Sequence, residues 1–211
     1  AVADAAGSSL GAAPVTLSGG TLNVSTAGSV NGLIATVYNN TANTGITTEN
    51  LGGTFGVQNG PLTPNVQVVT TTLSGALNYP QDADQSFRTI WGGQPANDIF
   101  AASFTGTFVA TTSGAYQFAA TGNDDTAVIW IDRDHDGVFS HSGAAGDEMI
   151  QAVGCCNNTG VASVNLPAGD YKIAFAVEDT GGGSGLVANF ADPGGALHVV
   201  NPSAEPGRFL A

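Results

Sequence analysis

The hydrophobic residues of this chain occur in short segments separated by Gly, Asn, Asp and Ser, and no window shows a sustained helical period. Residues 104–109 alternate apolar and polar side chains, and residues 116–119 resume the pattern. Such alternation is typical of a strand with one buried face. Because the turn-forming residues Thr112-Ser113-Gly114 lie between the two segments, we predict that they form an antiparallel hairpin.

A second hairpin is predicted from residues 161–166 and 171–177, because Pro167-Ala168-Gly169-Asp170 between them has the composition of a tight turn. The other predicted strands are residues 31–40, 66–69, 128–131 and 186–190. Many short strands with turn residues between them indicate an all-β fold. We expect an antiparallel β-sandwich of the jelly-roll-like kind, with few or no helices.

Composition predicts where the folded domain begins and ends. Residues 1–29 alternate small residues with Gly and Ser and contain no aromatic residue, which is typical of a linker or a peripheral strand. We expect the β-sandwich to span residues 30–202 and residues 203–211 to form a C-terminal tail. A length of 211 residues suits one all-β domain with an extension.

The excess of acidic over basic residues excludes partners that need a basic protein surface. The chain has 4 Lys and Arg residues against 17 Asp and Glu residues, so it cannot build the basic surface that nucleic acid or an anionic membrane requires. No segment approaches the roughly 20 consecutive apolar residues of a membrane span. We expect an extracellular protein, secreted or held at the cell surface as part of a larger surface protein, with no nucleic-acid partner and no membrane insertion.

Seven acidic residues are concentrated in one short window: Asp124, Asp125, Asp132, Asp134, Asp136, Asp147 and Glu148. Neighbouring carboxylates raise one another's pKa unless a cation lies among them. Since basic residues are scarce, a metal ion is the natural partner, and carboxylate and carbonyl oxygens favour Ca2+. The alternative is a solvated acidic rim without a ligand.

Within this window, Asp132-x-Asp134-x-Asp136-Gly137 has the aspartate spacing and the turn glycine of a calcium-binding loop, with Val138 placed to offer a carbonyl. An EF-hand would have a carboxylate six residues after Gly137, where this chain has Gly143. Asp147 or Glu148 would therefore have to close the site. We interpret the segment as a structural calcium site, with a solvated acidic turn as the alternative.

Residues 31–40, 100–132 and 164–195 together resemble the PA-14 domain family, the protective-antigen type β-sandwich of bacterial adhesins and yeast flocculins. The shared features are a Ser-Gly-x-Tyr-x-Phe return, an Asp-Asp pair, an apolar strand ending in Ile-Asp, and an Ala-Gly-x-Tyr turn. The resemblance runs from Gly32 to Pro193. It implies the family's sandwich fold and, for its lectin branch, calcium-dependent carbohydrate binding.

In that lectin branch, an Asp-Asp pair joined by a cis peptide and a second loop hold a calcium ion, which coordinates two vicinal hydroxyls of a sugar. The resemblance assigns Asp124 and Asp125 to both calcium and sugar. The remaining implied calcium ligands lie in one loop: Asp179, Glu178 as its substitute, and the carbonyls of Gly181 and Gly182. Gly183 and Ser184 are implied on the sugar side. Glycans or cell-surface carbohydrates would be the partners, and the alternative is a calcium-stabilised structural module that binds no sugar.

Other features complete the set of expectations. We expect both acidic loops at one end of the sandwich.

Trp91 is followed by two glycines, and two roles remain open for it: a core residue or a wall of the sugar site. Trp130 lies in an apolar segment and is predicted to be core. No arrangement typical of a catalytic triad or a nucleophile elbow occurs in the sequence, so we do not expect an enzyme.

Cys155 and Cys156 are the only cysteines, and we predict that they form a disulfide with each other. An exported chain oxidises its cysteines, and neither residue has a distant partner within the molecule. Two reduced thiols or a link between two chains are the alternatives. A rigid turn of this kind near the acidic residues could form one wall of a sugar site.

Overall fold

Strands dominate the structure, a computed structural model that describes residues 30–39, 68–82, 85–93, 100–140, 147–154, 156 and 160–211. The strands are β1 Leu33–Asn39, β2 Val68–Leu73, β3 Asn78–Asp82, β4 Phe100–Ala110, β5 Gly114–Thr121, β6 Thr126–Ile131, β7 Met149–Val153, β8 Ala162–Leu166, β9 Gly169–Asp179, β10 Ser184–Ala191, β11 His198–Val199 and β12 Phe209–Leu210. Helical structure in the described part is limited to α1 Gln85–Arg88 and a 3-10 turn, Thr89–Trp91. The described residues from Asn31 to Ala211 belong to one compact unit.

The strands form two sheets that pack face to face. One sheet has the order β2-β1-β4-β9-β6-β7, with β12 added beside β4, and the other has the order β11-β10-β5-β8, with β3 added beside β10. Every pairing between named strands is antiparallel. The prediction of an antiparallel β-sandwich with little helix is therefore confirmed. No helix of the described residues is long and apolar enough to cross a membrane.

The two predicted hairpins are wrong, because each turn carries the chain from one sheet to the other. Strand β4 pairs with β9, with Ala110 opposite Gly169, and β5 pairs with β8, with Gly114 opposite Leu166. Alternation shows only that a strand has one buried face. That face can be buried across the core as well as beside a paired neighbour, so the pattern did not distinguish the two arrangements.

The core between the sheets is rich in aromatic side chains. Phe108 of β4 packs against Tyr116, Phe118 and Phe190 of the opposite sheet, with ring centroids 5.3 to 5.8 Å apart. The last residues, which composition assigns to a tail, return to this core. Phe209 is completely buried and pairs with Phe108 through β12. The chain therefore continues its packing into the sandwich beyond residue 202.

A second, smaller hydrophobic cluster lies on the outer face of the seven-stranded sheet. Along β6, Ile129 and Ile131 face the main core, whereas Trp130 between them belongs to the outer cluster. Trp130 is buried there by Phe139, which follows β6 in the chain and places its ring centroid 6.1 Å away. The prediction that Trp130 is buried is confirmed, but its position is outside the main core.

Candidate functional site

Asp124 and Asp125 form the turn between β5 and β6, which we name the double-aspartate turn. Asp125 has a φ of +57°, a left-handed conformation that aspartate tolerates better than most residues. Its backbone N–H donates to Oδ1 of Asp124 at 2.9 Å. The turn thus places two carboxylates at the start of β6.

The loop between β9 and β10 packs directly against this turn. We name its residues Thr180–Gly183 the glycine loop. The backbone N–H of Thr180 donates to Oδ2 of Asp125, and its hydroxyl donates to the same oxygen at 2.7 Å. A Cβ built on Gly182 would lie 3.8 Å from Oδ2 of Asp124. Gly181 and Gly182 have φ angles of +135° and +107°, which glycine adopts without strain.

Asp179 lies beneath the glycine loop and is 1% exposed. Its Oδ1 accepts the N–H of Gly181 at 2.8 Å, and its Oδ2 accepts the Ser184 hydroxyl at 2.6 Å. Burial and, less strongly, the nearby charges of Asp124 and Asp125 together raise the pKa of Asp179 to about 6, although the two hydrogen bonds lower it. The three carboxylates therefore interact electrostatically, and a cation among them would relieve the repulsion.

Two supporting residues were not identified from the sequence. Gln81 of β3 donates its side-chain amide to Oδ2 of Asp124 at 2.8 Å. Buried Asn123 donates to the carbonyls of Asp125 at 3.0 Å and Gly154 at 3.2 Å, so it ties the double-aspartate turn to the chain after β7. Asn123 precedes the Asp-Asp pair directly, which was the one available signal. Gln81 is distant in sequence and no local pattern marks it.

Backbone packing at Gly185 holds these segments together. A Cβ at this residue would lie 2.5 Å from the N atom of Gln81 and 2.6 Å from the carbonyl oxygen of Gly122. Only glycine permits the start of β10 to approach the other two segments so closely. Gly185 therefore supports the site by allowing close backbone packing, and it is not itself a candidate ligand.

Cys156 also reaches this region. Its Sγ lies 3.4 Å from Oδ1 of Asp124, and the residue is exposed. Cys155 lies outside the described residues, so the disulfide between the two remains a prediction. The position of Cys156 places one sulfur beside the double-aspartate turn.

Three residues assigned from the sequence have other surroundings. Trp91 is 5% exposed and donates its indole N–H to the carbonyl of Ala35 at 3.1 Å, so of its two open roles the structure shows the core one. Ser184 is buried against Asp179 and is not placed to contact a sugar. Glu178 neighbours Asp179 in β9, and adjacent side chains of a strand point to opposite faces, so the two cannot substitute for each other.

The expectation that both acidic loops lie at one end of the sandwich is wrong. Strand β6 begins directly after Asp125 and ends directly before Asp132. Its six residues, rising about 3.3 Å each, separate the two loops by about 20 Å. The double-aspartate turn lies near the end of β9, where it contacts Thr180. The second loop lies near the start of β9, where the main-chain carbonyl of Lys172 accepts the N–H of Asp132.

We name residues 132–140 the DxDxDG loop. Oδ2 of Asp132 accepts the N–H of Gly137 at 3.0 Å, and Oδ1 of Asp136 accepts the N–H of Val138 at 2.7 Å. Asp132, Asp134 and Asp136 each place a carboxylate oxygen within 4.8 Å of the other two. Among the described residues, no other group of three metal-ligating side chains converges in this way.

Asp147 and Glu148 do not extend that group. Both oxygens of Glu148 are used by the DxDxDG loop: Oε1 accepts the N–H of Arg133 at 2.7 Å, and Oε2 accepts the N–H of Ser140 at 2.7 Å. Oδ1 of Asp147 accepts the N–H of Met149 at 3.2 Å. Glu148 therefore closes the loop through hydrogen bonds to its backbone, and the expectation that one of these two residues closes the acidic group itself is wrong for the described residues.

A scan against protein-family models finds no match, and a search of curated protein sequences finds none either. Solved structures do match. The epithelial adhesin 9 A domain from Candida glabrata, crystallised in complex with Galβ1-3GlcNAc, has a TM-score of 0.56 and 12% identity over 85% of this chain and 88% of that chain.

Two other matches are PA14 domains. The PA14 domain of the MpAFP antifreeze protein has a TM-score of 0.52 and 17% identity over 90% of this chain and 95% of that chain. The PA14 sugar-binding domain from an RTX adhesin has a TM-score of 0.50 and 15% identity over 82% of this chain and 96% of that chain. Likeness at these identities concerns the fold, and at that level the resemblance seen in the sequence is confirmed.

Proposed function

Starting from its PA14 fold, we propose that this chain is a calcium-dependent carbohydrate-binding module of an extracellular surface adhesin. The observation that carries the proposal is the contact between the double-aspartate turn and the glycine loop, with Asp179 buried beneath them. Two solved structures with the same fold support it, since one was crystallised with a galactose-containing disaccharide and another is described as sugar-binding. The proposed activity is binding rather than catalysis.

The residues of this site fit calcium in their chemistry. Asp124, Asp125 and Asp179 offer carboxylate oxygens, and the glycine loop offers main-chain carbonyls, which together form the hard-oxygen set that Ca2+ prefers. Burial and, less strongly, the charges of Asp124 and Asp125 raise the pKa of Asp179, and a cation at the site would offset both effects. When bound, calcium would supply a positive charge that ligand hydroxyls can coordinate.

The exposed part of the site would contact the sugar. Thr180, Gly181, Gly182 and Cys156 are exposed around the double-aspartate turn, while Asp124 and Asp179 are buried. Such a surface is shallow and polar, so recognition would depend on hydroxyl geometry more than on apolar enclosure. We propose that Gly183 lines the same surface and that the predicted Cys155–Cys156 disulfide forms a rigid wall beside it.

A second candidate function is a structural module that binds no sugar. It is favoured by the hydrogen bonds that already occupy the three carboxylates, which Gln81, Thr180 and Ser184 supply. Such contacts can hold a loop without any ligand. This alternative places the chain as a spacer within a larger surface protein.

A glycan array probed in Ca2+ and again in chelator tests the proposal. We expect binding to sugars with vicinal hydroxyls in Ca2+ and at least a tenfold loss in chelator. Asp125→Asn should lose binding to the same extent, because it removes the half-buried carboxylate of the double-aspartate turn. Asp170→Asn, an exposed aspartate on β9, is the matched control and should bind normally.

Each outcome decides between the candidates. Equal binding with and without Ca2+ would contradict a role for the ion. Full binding by Asp125→Asn would contradict the assigned site. Absence of binding in both conditions, by a protein that circular dichroism shows to be folded, would favour the structural module.

A further inference from the structure

We infer that the DxDxDG loop is a second divalent-cation site, specific for calcium and independent of sugar binding. It lies about 20 Å from the double-aspartate turn, at the other end of β6. Its role is structural: the ion fixes residues 132–140 so that Phe139 stays packed on Trp130. The inference does not rest on the proposed function.

The buried carboxylate of Asp132 is the first observation. Asp132 is 2% exposed, and its Oδ1 is buried with no hydrogen-bond partner among the described residues. The same carboxylate belongs to the group whose oxygens lie within 4.8 Å of Asp134 and Asp136. A buried carboxylate oxygen without a hydrogen-bond partner is costly, and a cation bound by this oxygen would compensate the cost.

The order of residues in the loop is the second observation. Asp132, Asp134 and Asp136 occupy the first, third and fifth positions of a calcium loop, and Gly137 occupies the sixth with a φ of +87°. Val138 then stands at the position that supplies a main-chain carbonyl. Three carboxylates and one carbonyl are hard-oxygen ligands, and waters would complete the six to eight that Ca2+ takes.

Glu148 preorganises the loop for the ion. By accepting N–H groups from Arg133 and Ser140, it holds both ends of the loop while the three aspartates point together. Since Glu148 is used in this way, the site lacks the bidentate glutamate of a tight EF-hand. We therefore expect a dissociation constant of about 0.1 to 1 mM, the range of extracellular calcium modules.

The consequence of binding is local order on the outer face of the seven-stranded sheet. Phe139 is three residues beyond Asp136 and packs on Trp130, which itself is two residues before Asp132. A cation that fixes the loop also fixes this aromatic contact. Trp130 thereby becomes a built-in reporter of the site.

Terbium luminescence sensitised by tryptophan tests the inference on the whole chain, because Tb3+ replaces Ca2+ at oxygen sites and accepts energy from a nearby indole. We expect a sensitised signal that Ca2+ competes away and that Trp130→Phe reduces at least fivefold. Asp134→Ala should weaken Ca2+ binding at this site at least tenfold by titration calorimetry. Asp170→Ala, an exposed aspartate outside the loop, is the matched control.

Variants of the two acidic regions separate this site from the other. Asp125→Asn should leave the sensitised signal and its Ca2+ competition unchanged, whatever it does to sugar binding. Asp132→Asn should abolish them while keeping the chelated protein folded, because it removes a buried charge whose Oδ1 has no hydrogen-bond partner and keeps an oxygen that can accept the N–H of Gly137. A signal unaffected by both Asp134→Ala and Asp132→Asn, or lost only in Asp125→Asn, would overturn the inference.

Discussion

The two acidic regions at the ends of β6 are built in different ways. The double-aspartate turn is assembled from separate parts of the chain, since Gln81, Thr180 and Cys156 all reach Asp124 or Asp125. The DxDxDG loop is nearly contiguous. Its carboxylates lie within five residues, and the distant side chains of Glu148 and Lys172 form hydrogen bonds to its backbone.

This difference has a functional consequence. A site assembled from several segments presents loops from different strands to solvent, so each loop can vary and the surface suits recognition of an external ligand. A contiguous loop with its aspartates turned toward one another suits an ion that fastens the chain to itself. This difference agrees with the two proposals, which give recognition to the first region and local stability to the second.

The largest expected effect on stability comes from disrupting the close backbone packing at Gly185, which holds the segments of the first region together. Gly185→Ala forces a methyl group to 2.5 Å from the Gln81 backbone, so we expect a loss of about 3 kcal/mol in unfolding free energy. Chemical denaturation measures it. Gly75→Ala is the control, because nothing lies within 4 Å of its added methyl, and its stability should stay within about 0.5 kcal/mol. Equal stability of the two variants would show that the close approach is unimportant.

Removing the hydrogen bonds that Glu148 makes to the DxDxDG loop should have the next largest effect on stability. Glu148 is 1% exposed and accepts hydrogen bonds from Arg133 and Ser140. Glu148→Gln turns one acceptor into a donor facing an N–H, so we expect the chelated protein to lose about 2 kcal/mol of stability. Thermal unfolding monitors the loss, with Asp170→Asn as an exposed control. Glycan binding in Ca2+ should persist, and its loss would contradict the separation of the two regions.

A smaller effect should follow from removing one support of the double-aspartate turn. Gln81→Ala deletes the amide that donates to Asp124 at 2.8 Å. A hydrogen bond to a charged group is worth about 1.5 kcal/mol, so glycan affinity should fall about tenfold. Gln117→Ala, at an exposed position of β5, removes the same side chain elsewhere and should not change affinity. If both variants bind alike, Gln81 does not position the site.

The smallest expected effect is a pH dependence confined to the first region. In the folded chelated protein the pKa of Asp179 is about 6, above its ordinary value of 3.8. Between these values the folded state binds a proton that the unfolded state does not, so stability rises as pH falls from 7 to 5, by about 1 kcal/mol from this residue. Denaturation of the wild type and Asp179→Asn at both pH values isolates the contribution. An identical pH dependence in the two proteins would contradict it.

Local sequence predicted the architecture because sandwich strands carry their burial pattern in their own residues. Alternation in residues 104–109 and the apolar segment 128–131 identified strands that the structure contains in β4 and β6. The same alternation led to the wrong prediction that β4 pairs with β5 and that β8 pairs with β9. A strand that pairs with its neighbour and one that faces it across the core show the same pattern, so pairing was decided by the packing of all strands together.

For the acidic regions too, some features could be predicted from local sequence and others depended on the packing of distant segments. The sequence by itself identified the DxDxDG loop, because motif spacing and a turn glycine are local properties. It identified the double-aspartate turn and the glycine loop through the resemblance to the PA-14 family. Only the tertiary structure decided that the two regions lie at opposite ends of β6 and that Trp91 is core. It also decided that Gln81 supports Asp124. These outcomes depend on contacts between segments that are far apart in the chain, and a local sequence pattern does not specify which distant segment will be the partner.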